Sequence, residues 1–364
     1  MSDVAQPVDH VTLDFSGGAL DAVPRDISAC VLTGDTLWVA CDESAEVIAL
    51  ERAGADRFGS PRVFPLTNYF GRFAQPPRKK SRSLKARGEM DIEGLAAEGG
   101  YLWIVGSHTR TRARPKGDAA EALDRLAKVR RPANRFFLGR LPLHEDRPGR
   151  FSAVAERTGR APCGTLSFHR ERSRLETWLT GDPHLAPFVD LPSKENGLDV
   201  EGLAVSGDRV FLGLRGPVVR GFAVVLELRL EAKASGALKA RRFEDRRRYR
   251  KSFVDLDGLG IRSLSVDGHD LVILAGPTLP VSGPSRIYRW RGALKGDGDT
   301  VAERSDVGCL VALPTSRGMD HPEAVEILPG ADGGRRFLVV HDAPAGGRVD
   351  DTLKTVKADL FDVP

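Results

Sequence analysis

A motif that recurs along the chain constrains its fold more than any other feature. The segments DIEGLAAEGGYLWIVGSH (91–108) and DVEGLAVSGDRVFLGLRG (199–216) align almost residue for residue. Three further copies fit the same frame: DISACVLTGDTLWVACDE (26–43), GIRSLSVDGHDLVILAGP (260–277) and, with a few extra turn residues, HPEAVEILPGADGGRRFLVVHDA (321–343). Such self-similarity indicates one repetitive body rather than a set of unrelated domains.

Each copy has the pattern of a β-hairpin. Two short apolar runs flank a glycine-containing turn, such as EGG (98–100) or SGD (206–208). A further β-prone run follows most copies, as at 222–230 and 285–290. Three or four antiparallel strands that recur at about 60 residues are typical of a propeller blade. The sequence therefore predicts an all-β chain folded as a β-propeller.

The spacing of the copies bears on the number of blades. One position of the frame is filled by Ser28, Glu93, Glu201, Arg262 and Glu323, which lie 65, 108, 61 and 61 residues apart. Helix-like insertions at 118–131, with Asp118 as N-cap, and at 165–188 would fill the long gap. We expect a single domain over 1–364 and favour five blades over six. A sixth blade would lie between 135 and 198.

The two ends of the chain are expected to close the ring. The run VTLDF (11–15) and the run KTVKADLFDV (354–363) are both β-prone. If they pair, the sheet keeps no free edge at this point.

The hairpin also predicts where polar side chains gather. In a propeller, residues just before the first strand of a blade and just after the second lie at the same end of the central channel. The first set is Ser28, Glu93, Glu201, Arg262 and Glu323, preceded by Asp26, Asp91 and Asp199. The second set is Asp42, Ser107, Arg215, Gly276 and Asp342. We therefore expect one end of the channel to hold several carboxylates together with two arginines.

Such a cluster of carboxylates allows three interpretations. Crowded carboxylates repel one another, and a hard cation such as Ca²⁺, which takes about six to eight oxygen ligands, would relieve that repulsion. Glu93, Glu201 and Glu323 are the candidate metal ligands. Alternatively, each glutamate pairs with an arginine or with backbone N–H groups of the next blade and locks the blades together. The third interpretation is a site for a purely organic ligand.

Three further residues follow or precede the hairpins at the same end. His108 would contact a substrate or lie in a solvated loop. Lys194 and Asn196 come shortly before Asp199 and suit an anionic or carbonyl substrate, although Asn196-Gly197 also has the pattern of a turn.

Composition limits the class of protein. Lys and Arg total 54 against 50 Asp and Glu, and the net charge of +4 is too small to indicate nucleic-acid binding by itself. Basic residues cluster at 78–87, 110–116 and 239–251, and solvated loops are their simplest interpretation. No apolar run approaches the ~20 residues of a membrane span, and the first residues lack the pattern of a signal peptide. These features predict a soluble, cytoplasmic protein that does not bind a membrane.

The four cysteines show no spacing typical of a zinc site. Cys30, Cys41, Cys163 and Cys309 are far apart and have no partner histidine at ligand spacing. Without an export signal they are expected to be reduced.

The motifs resemble a known family. The repeated Asp-x-Glu-Gly-Leu-Ala, with GLRGPV (213–218), GLGIRSL (258–264) and DHPEAV (320–325), resembles a bacterial family catalogued as a domain of unknown function, over residues 26–343. More distantly, the motif and its glycine turn are similar to the phytase-like esterase domains, which are β-propellers. That resemblance implies calcium-assisted hydrolysis of a phosphoester or ester. It rests on Asp91, Glu93, Asp199 and Glu201, and the chain departs from it at Ser28 and Arg262.

The first functional hypothesis is a metal-dependent hydrolase of a small anionic ester, such as a phosphoester. Glu93, Glu201 and Glu323 would hold the cation, which activates a bound water. Arg215 and Arg262 would bind the anion, and Asp91 or Asp199 would act as general base. His108 would contact the substrate.

The second hypothesis is a non-catalytic propeller that binds a protein or nucleic acid through its basic loops. The loops at 78–87 and 239–251 would carry this binding, which would weaken strongly with salt. We favour the first hypothesis, because polar residues recur with the repeat and the basic runs do not. The expected partner is then a small anionic substrate rather than a nucleic acid.

Overall fold

A computed structural model describes residues 4–18, 20, 22–70, 89–156, 158–159, 161–167, 172–279, 281–315, 318–330 and 333–364. Nearly all of its regular elements are β-strands, which confirms the all-β prediction. The described α-helices are short: α1 (Thr67–Phe70), α2 (Ala119–Ala127) and α3 (Arg174–Leu179). None of them is long and apolar enough to cross a membrane.

The strands follow one another in five groups. The chain begins with β1 (Asp9–Asp14), and the first group is β2 (Ile27–Thr33), β3 (Thr36–Cys41), β4 (Glu46–Arg52) and β5 (Arg57–Pro65). The second is β6 (Ile92–Glu98), β7 (Tyr101–Gly106), β8 (Thr111–Arg112), β9 (Val129–Arg130), β10 (Leu138–Arg147), β11 (Arg150–Ala153) and β12 (Gly164–Thr165). The third is β13 (Asp199–Ser206), β14 (Arg209–Val219), β15 (Phe222–Ala232), β16 (Leu238–Ala240) and β17 (Arg250–Asp255). The fourth is β18 (Gly260–Asp267), β19 (Asp270–Gly276), β20 (Arg286–Trp290), β21 (Thr300–Ala302) and β22 (Val307–Ala312). The fifth is β23 (His321–Pro329), β24 (Arg335–Asp342), β25 (Val349–Asp350) and β26 (Thr355–Asp362).

Each group contributes a four-stranded antiparallel unit. The strand orders are β2-β3-β4-β5, β6-β7-β10-β11, β13-β14-β15-β17, β18-β19-β20-β22 and β23-β24-β26-β1. In the fifth unit β1 pairs with β26, and Val11 lies opposite Ala358. The unit thus combines strands from both ends of the chain. We number these units one to five in that order.

The units are arranged as a ring. The first strand of each unit packs against the first strand of the next, and β23 of unit five packs against β2 of unit one. This closed order makes the protein a β-propeller, as the sequence predicted. The described part between 135 and 198 contains no additional four-stranded unit. The packing supports five blades, and the blade number stays a prediction.

The glycine of the repeated motif is explained by the contact between units. A Cβ on Gly94 would lie 2.7 Å from the Leu203 Cβ, and one on Gly202 would lie 2.7 Å from the Leu264 Cγ. Both distances are too short for carbon atoms that are not bonded to each other. Glycine therefore lets the first strands of neighbouring units approach closely enough to bury the apolar residues beside them.

The two insertions contain less helix than their sequence patterns suggest. Helix α2 begins after Asp118, whose side chain accepts a hydrogen bond from the Glu121 N–H at 2.9 Å. Among the described residues of 165–188, the α-helix covers Arg174–Leu179 and a 3₁₀ turn covers Ala186–Phe188. The intervening sequence contains Gly181 and Pro183, which disfavour continuation of the helix.

Candidate functional site

The hairpin register brings the polar positions of the repeat to one end of the ring. Ile92 lies opposite Gly106, Asp199 opposite Gly216, and His321 opposite Asp342. We call this end the mouth. Its carboxylates are Asp26, Asp42, Asp91, Glu93, Asp199, Glu201, Glu323 and Asp342, and its arginines are Arg135, Arg215 and Arg262.

Units three to five supply a group of carboxylates that are paired with arginines. The Arg262 Nη1 donates to both carboxylate oxygens of Glu323 at 2.6 Å and to the Glu201 Oε2 at 3.2 Å. The Arg215 Nη1 donates to the Glu201 Oε1 at 2.7 Å and lies 3.7 Å from the Asp199 Oδ2. We call these five residues the arginine-paired side. Arg262, which aligns with the glutamates of other copies, acts there as a built-in cation.

Units one and two supply the acidic side of the mouth, which consists of Asp42, Asp91 and Glu93. One oxygen of each residue lies within 4.8 Å of an oxygen of each of the others. In the described part of the chain the Glu93 carboxylate makes no hydrogen bond or ion pair. The Asp42 Oδ1 is buried without a hydrogen-bond partner. Neither Glu201 nor Glu323 belongs to this group, so the geometry selects a different set of acids from the one chosen by sequence.

Asp91 is the one member of the acidic side with polar partners. It accepts a hydrogen bond from the Ser107 hydroxyl, and the Arg135 Nη1 lies 2.7 Å from its Oδ2. Arg135 also donates to the Thr109 Oγ1 at 2.9 Å. Asp91 is therefore held in one position. Among the described residues Asp42 and Glu93 form no ion pair, and Arg135 and Arg262 attract Glu93 only from a longer distance.

The electrostatics of the mouth favour protons or a cation. Burial, and then repulsion from Asp91 and Asp26, raises the pKa of Asp42 to about 8. Burial, and then repulsion from Glu201, raises the pKa of Glu93 well above its usual range. Burial raises the pKa of Glu323 to about 7, although Arg262 opposes that rise. A bound cation would displace the protons that these groups otherwise retain near neutral pH.

His108 and Asn196 have structural contacts. His108 is 2% exposed, and its Nδ1 lies 2.9 Å from the Gly106 carbonyl oxygen. Burial lowers the pKa of His108 to about 4, so the ring is neutral and is not in a solvated loop. The Asn196 Oδ1 accepts a hydrogen bond from the Val218 N–H at 3.0 Å, and its backbone is left-handed with φ 62°. Asn196 thus forms the turn that the sequence allowed.

Lys194 places an unpaired ammonium group near the mouth. Its ammonium group forms no hydrogen bond or ion pair in the described residues. Burial, together with nearby Arg114 and Arg215, lowers the pKa of Lys194, while Asp199 opposes this.

Arg135 is the functional residue that sequence reasoning missed. It lies in a 3₁₀ turn, Ala133–Phe136, after the α2 insertion and outside the repeated frame. The sequence predicts Asp42 at the mouth but does not single it out as a ligand. Its position after the second strand of unit one was the available signal.

The basic clusters are largely paired where the structure describes them. The cluster at 78–87 lies outside the described residues. In 239–251, the Arg247 Nη1 donates to the Asp299 Oδ2 at 2.8 Å, and Arg250 donates to Asp297. In 110–116, the Arg110 Nη2 donates to the Glu176 Oε1 at 2.7 Å, and both side chains are buried. The four cysteines form no disulfide.

A ring of antiparallel units with ionisable residues at one mouth defines a β-propeller protein whose candidate site lies at the channel end. The chain belongs to the family described as protein of unknown function (DUF3616), which matches residues 26–359. No curated protein matches it.

Several solved structures are similar in fold. The glutaminyl cyclase of Myxococcus xanthus has 10% identity and a TM-score of 0.38, over 99% of this chain and 100% of that chain. An exo-1,5-α-L-arabinanase from a bovine ruminal metagenomic library has 10% identity and a TM-score of 0.41, over 94% of each chain. The xylan β-1,4-xylosidase of Bacillus halodurans C-125 has 11% identity and a TM-score of 0.39, over 94% of this chain and 53% of that chain. This chain thus spans about half the length of the xylosidase. Similarity at this level does not extend to function.

Proposed function

We propose that the protein is a metal-dependent hydrolase of a small anionic ester, such as a phosphoester, with its cation on the acidic side of the mouth. The group formed by Asp42, Asp91 and Glu93 carries this proposal. Three carboxylates share a space of ligand dimensions, and two of them form no ion pair in the described part of the chain. Carboxylate oxygens suit hard cations, of which Ca²⁺ tolerates irregular geometry best.

The remaining mouth residues have complementary tasks in this proposal. When bound, the cation would polarise the ester and lower the pKa of a water molecule. Arg135 and Ser107 hold Asp91 in the orientation that a ligand needs. Burial and repulsion from Glu201 raise the pKa of Asp199 well above its usual range, so this carboxylate takes up a proton more readily than an ordinary aspartate, as a general base does.

The anionic part of the substrate is assigned to Lys194. Arg215 and Arg262, the residues that the sequence suggested for this role, already bind Glu201 and Glu323. Their charge is balanced, so they hold the arginine-paired side in place. The Lys194 ammonium is not balanced in this way and would attract an anion.

Calorimetric titration with Ca²⁺, Mg²⁺ and Mn²⁺ tests the cation site. We expect wild type to bind one divalent cation and Glu93→Gln to bind at least about 100-fold more weakly. Unit charges ~4 Å apart interact by about 4 kcal/mol at an effective dielectric of 20, and a divalent cation doubles that attraction. Asp342→Asn is the matched control, because it removes a mouth carboxylate outside the acidic side and should keep most of the affinity. Absence of binding by wild type would remove the metal from the proposal.

Hydrolysis is tested separately with p-nitrophenyl phosphate and p-nitrophenyl acetate as substrates. We expect the cation that binds in the titration to support turnover of one of them, and a chelator to abolish it. A protein that binds the cation but cleaves neither compound under any of these conditions would contradict hydrolysis of simple phosphoesters and esters. Glu93→Gln should lose turnover together with cation affinity.

A further inference from the structure

A cleft on units three and four lies apart from the mouth. Its volume is about 350 Å³, within the ~300–1,000 Å³ of pockets that bind small molecules. The lining includes Phe211 of β14, Ser252 of β17, Trp290 of β20 and the glycine-rich segment 292–300. Arg209, which also lines the cleft, begins β14 at the end far from Arg215. The cleft therefore does not share residues with the site proposed above.

One arginine fixes the shape of this cleft. The Arg209 Nε and Nη2 donate to the two Glu227 carboxylate oxygens at 2.7 Å and 2.9 Å. The same guanidinium donates to the carbonyl oxygens of Leu294 and Gly296 and lies 5.0 Å from the centre of the Phe211 ring. It thus ties the segment after β20 to β14 and β15, so the walls are formed before any ligand arrives.

The charges in the lining are balanced by neighbouring residues. Arg209 pairs with Glu227, and Asp297 accepts a hydrogen bond from Arg250. The Asp299 Oδ2 lies 2.8 Å from the Arg247 Nη1. A charged ligand would lose its hydration here without gaining a free counter-charge, which is unfavourable. The cleft therefore favours a neutral ligand.

Neutral hydrogen-bonding groups remain available to such a ligand. Ser252 and Thr300 are register partners in the parallel pair of β17 and β21. Their hydroxyl groups, and the Trp290 indole N–H, form no hydrogen bond in the described part of the chain. Phe211 and Trp290 line the cleft with the 3% and 7% of their surface that is exposed, which gives a small apolar wall beside these groups. Hydroxyl and N–H groups next to aromatic rings match a small ring that carries several hydroxyl groups.

We infer that this cleft binds a neutral sugar of monosaccharide size. The ring hydroxyls of the sugar contact Ser252, Thr300 and the Trp290 indole N–H, and its C–H face lies against the aromatic side chains. This inference does not depend on the hydrolase proposal, because no residue of the acidic side takes part.

Saturation-transfer NMR and calorimetry with D-glucose and D-xylose test the inference, with D-glucuronate and D-glucosamine as charged counterparts. We expect at least one neutral sugar to bind at millimolar concentration and both charged ones to bind more weakly. Thr300→Val keeps the side-chain shape and should weaken binding about fivefold, the size of one neutral hydrogen bond. Trp290→Phe keeps an aromatic ring and should weaken binding similarly, with circular dichroism checking the fold.

Thr352→Val is the matched control, because Thr352 is an exposed residue of a turn outside the cleft. It should bind the neutral sugar as wild type does, and so should Glu93→Gln. The inference is overturned if no neutral sugar binds up to about 50 mM, or if the charged sugars bind equally well. Equal weakening by Thr300→Val and Thr352→Val would also overturn it.

Discussion

The arginine-paired side and the acidic side of the mouth are built from the same repeat but neutralise their carboxylates differently. On the first, Arg262 replaces the repeated glutamate and holds Glu201 and Glu323 within hydrogen-bond distance. On the second, the glutamate is Glu93, and no arginine contacts it in the described part of the chain. A single difference in residue type thus separates a lock between units from a candidate cation site.

The comparison supports the interpretation as a lock for one side only, and the cation on the other side stays a proposal. A buried carboxylate is stable only when it is paired, protonated or bound to a cation. The arginine-paired side satisfies this requirement within the protein. The acidic side satisfies the requirement when its carboxyl groups keep their protons, as their raised pKa values favour, or when they bind a cation from solution. A metal-dependent site needs such carboxylates.

The largest effect is expected from Arg262→Met. Removal of the guanidinium leaves Glu201 and Glu323 buried with less compensation, and losing one partner of a buried ion pair costs about 3–5 kcal/mol. Urea unfolding measures this loss in the free energy of unfolding. Arg335→Met serves as control, because Arg335 pairs with Asp267 at a half-exposed position and such pairs contribute about 0–1 kcal/mol. Equal losses of unfolding free energy in the two variants would refute the role of Arg262 in locking the units together.

The second effect separates the two sides directly. In the presence of a chelator, Glu201→Gln should lower the free energy of unfolding by about 1.5–3 kcal/mol, because Arg215 and Arg262 lose a charged acceptor. Glu93→Gln should leave it unchanged or raise it, because repulsion from Glu201 and the other mouth acids outweighs the longer-range attraction of Arg135 and Arg262. Urea unfolding of both variants gives the comparison. If Glu93→Gln destabilises as much as Glu201→Gln, Glu93 has a stabilising partner and the contrast between the two sides is refuted.

The ring and its mouth could be predicted from sequence because they depend on local signals. Turn glycines such as Gly207 and Gly268, both with positive φ, mark each hairpin, and the strand register then fixes which residues share one end. The glycine of the repeat has a structural reason as well, since the absence of a side chain at Gly94 allows unit two to approach Leu203 of unit three.

The choice of ligands could not be predicted in the same way. In the alignment of the repeat, Glu93 stands at the same position as Glu201 and Glu323. The distances between these side chains in the fold, however, depend on which of them pair with arginines from other positions of the chain. Arg135 comes from a turn outside the frame, and Arg215 is directed to Glu201 instead of to a substrate. The burial of His108 likewise depends on packing against Phe136, which no spacing in the sequence reveals.

A smaller effect should appear as a pH dependence of stability on the acidic side. The pKa of Asp42 is raised from 3.8 to about 8 by folding, so the folded state holds this proton more tightly than the unfolded state. Its contribution to stability is therefore present at low pH and is lost as the pH rises towards 8. With a chelator, we expect the Tm to fall by roughly 2–4 °C between pH 6 and pH 9.

Two further measurements test the origin of this pH dependence. Addition of Ca²⁺ should reduce the fall, and Asp42→Asn should make it smaller, because Glu323 and Glu326, whose pKa values burial raises to about 7 and about 8, still contribute. Asp359, whose pKa is lowered by hydrogen bonds from His341 and Arg348 despite its burial, acts only at low pH and does not contribute in this range. A fall of the same size in Asp42→Asn would assign the dependence to another group.

The smallest effect is expected at the position of unit one that aligns with Glu93. The Ser28 hydroxyl donates its one hydrogen to the Ile92 carbonyl oxygen at 2.5 Å, with the Ala40 carbonyl oxygen at 3.3 Å as a weaker second acceptor, and thus connects units one and two through the backbone. Ser28→Ala should lower the free energy of unfolding by about 1 kcal/mol, the net value of a typical hydrogen bond, with Ser235→Ala in an exposed turn as control.

Cation affinity should not change in Ser28→Ala, because the hydroxyl bonds to carbonyl groups and not to the acids of the mouth. Calorimetric titration with Ca²⁺ beside the unfolding measurement separates the two properties. A variant that kept its stability but lost affinity would place Ser28 among the ligands. The acidic side would then include the first strand of unit one as well as Asp42, and the contrast with the arginine-paired side would begin at Ser28 rather than at Glu93.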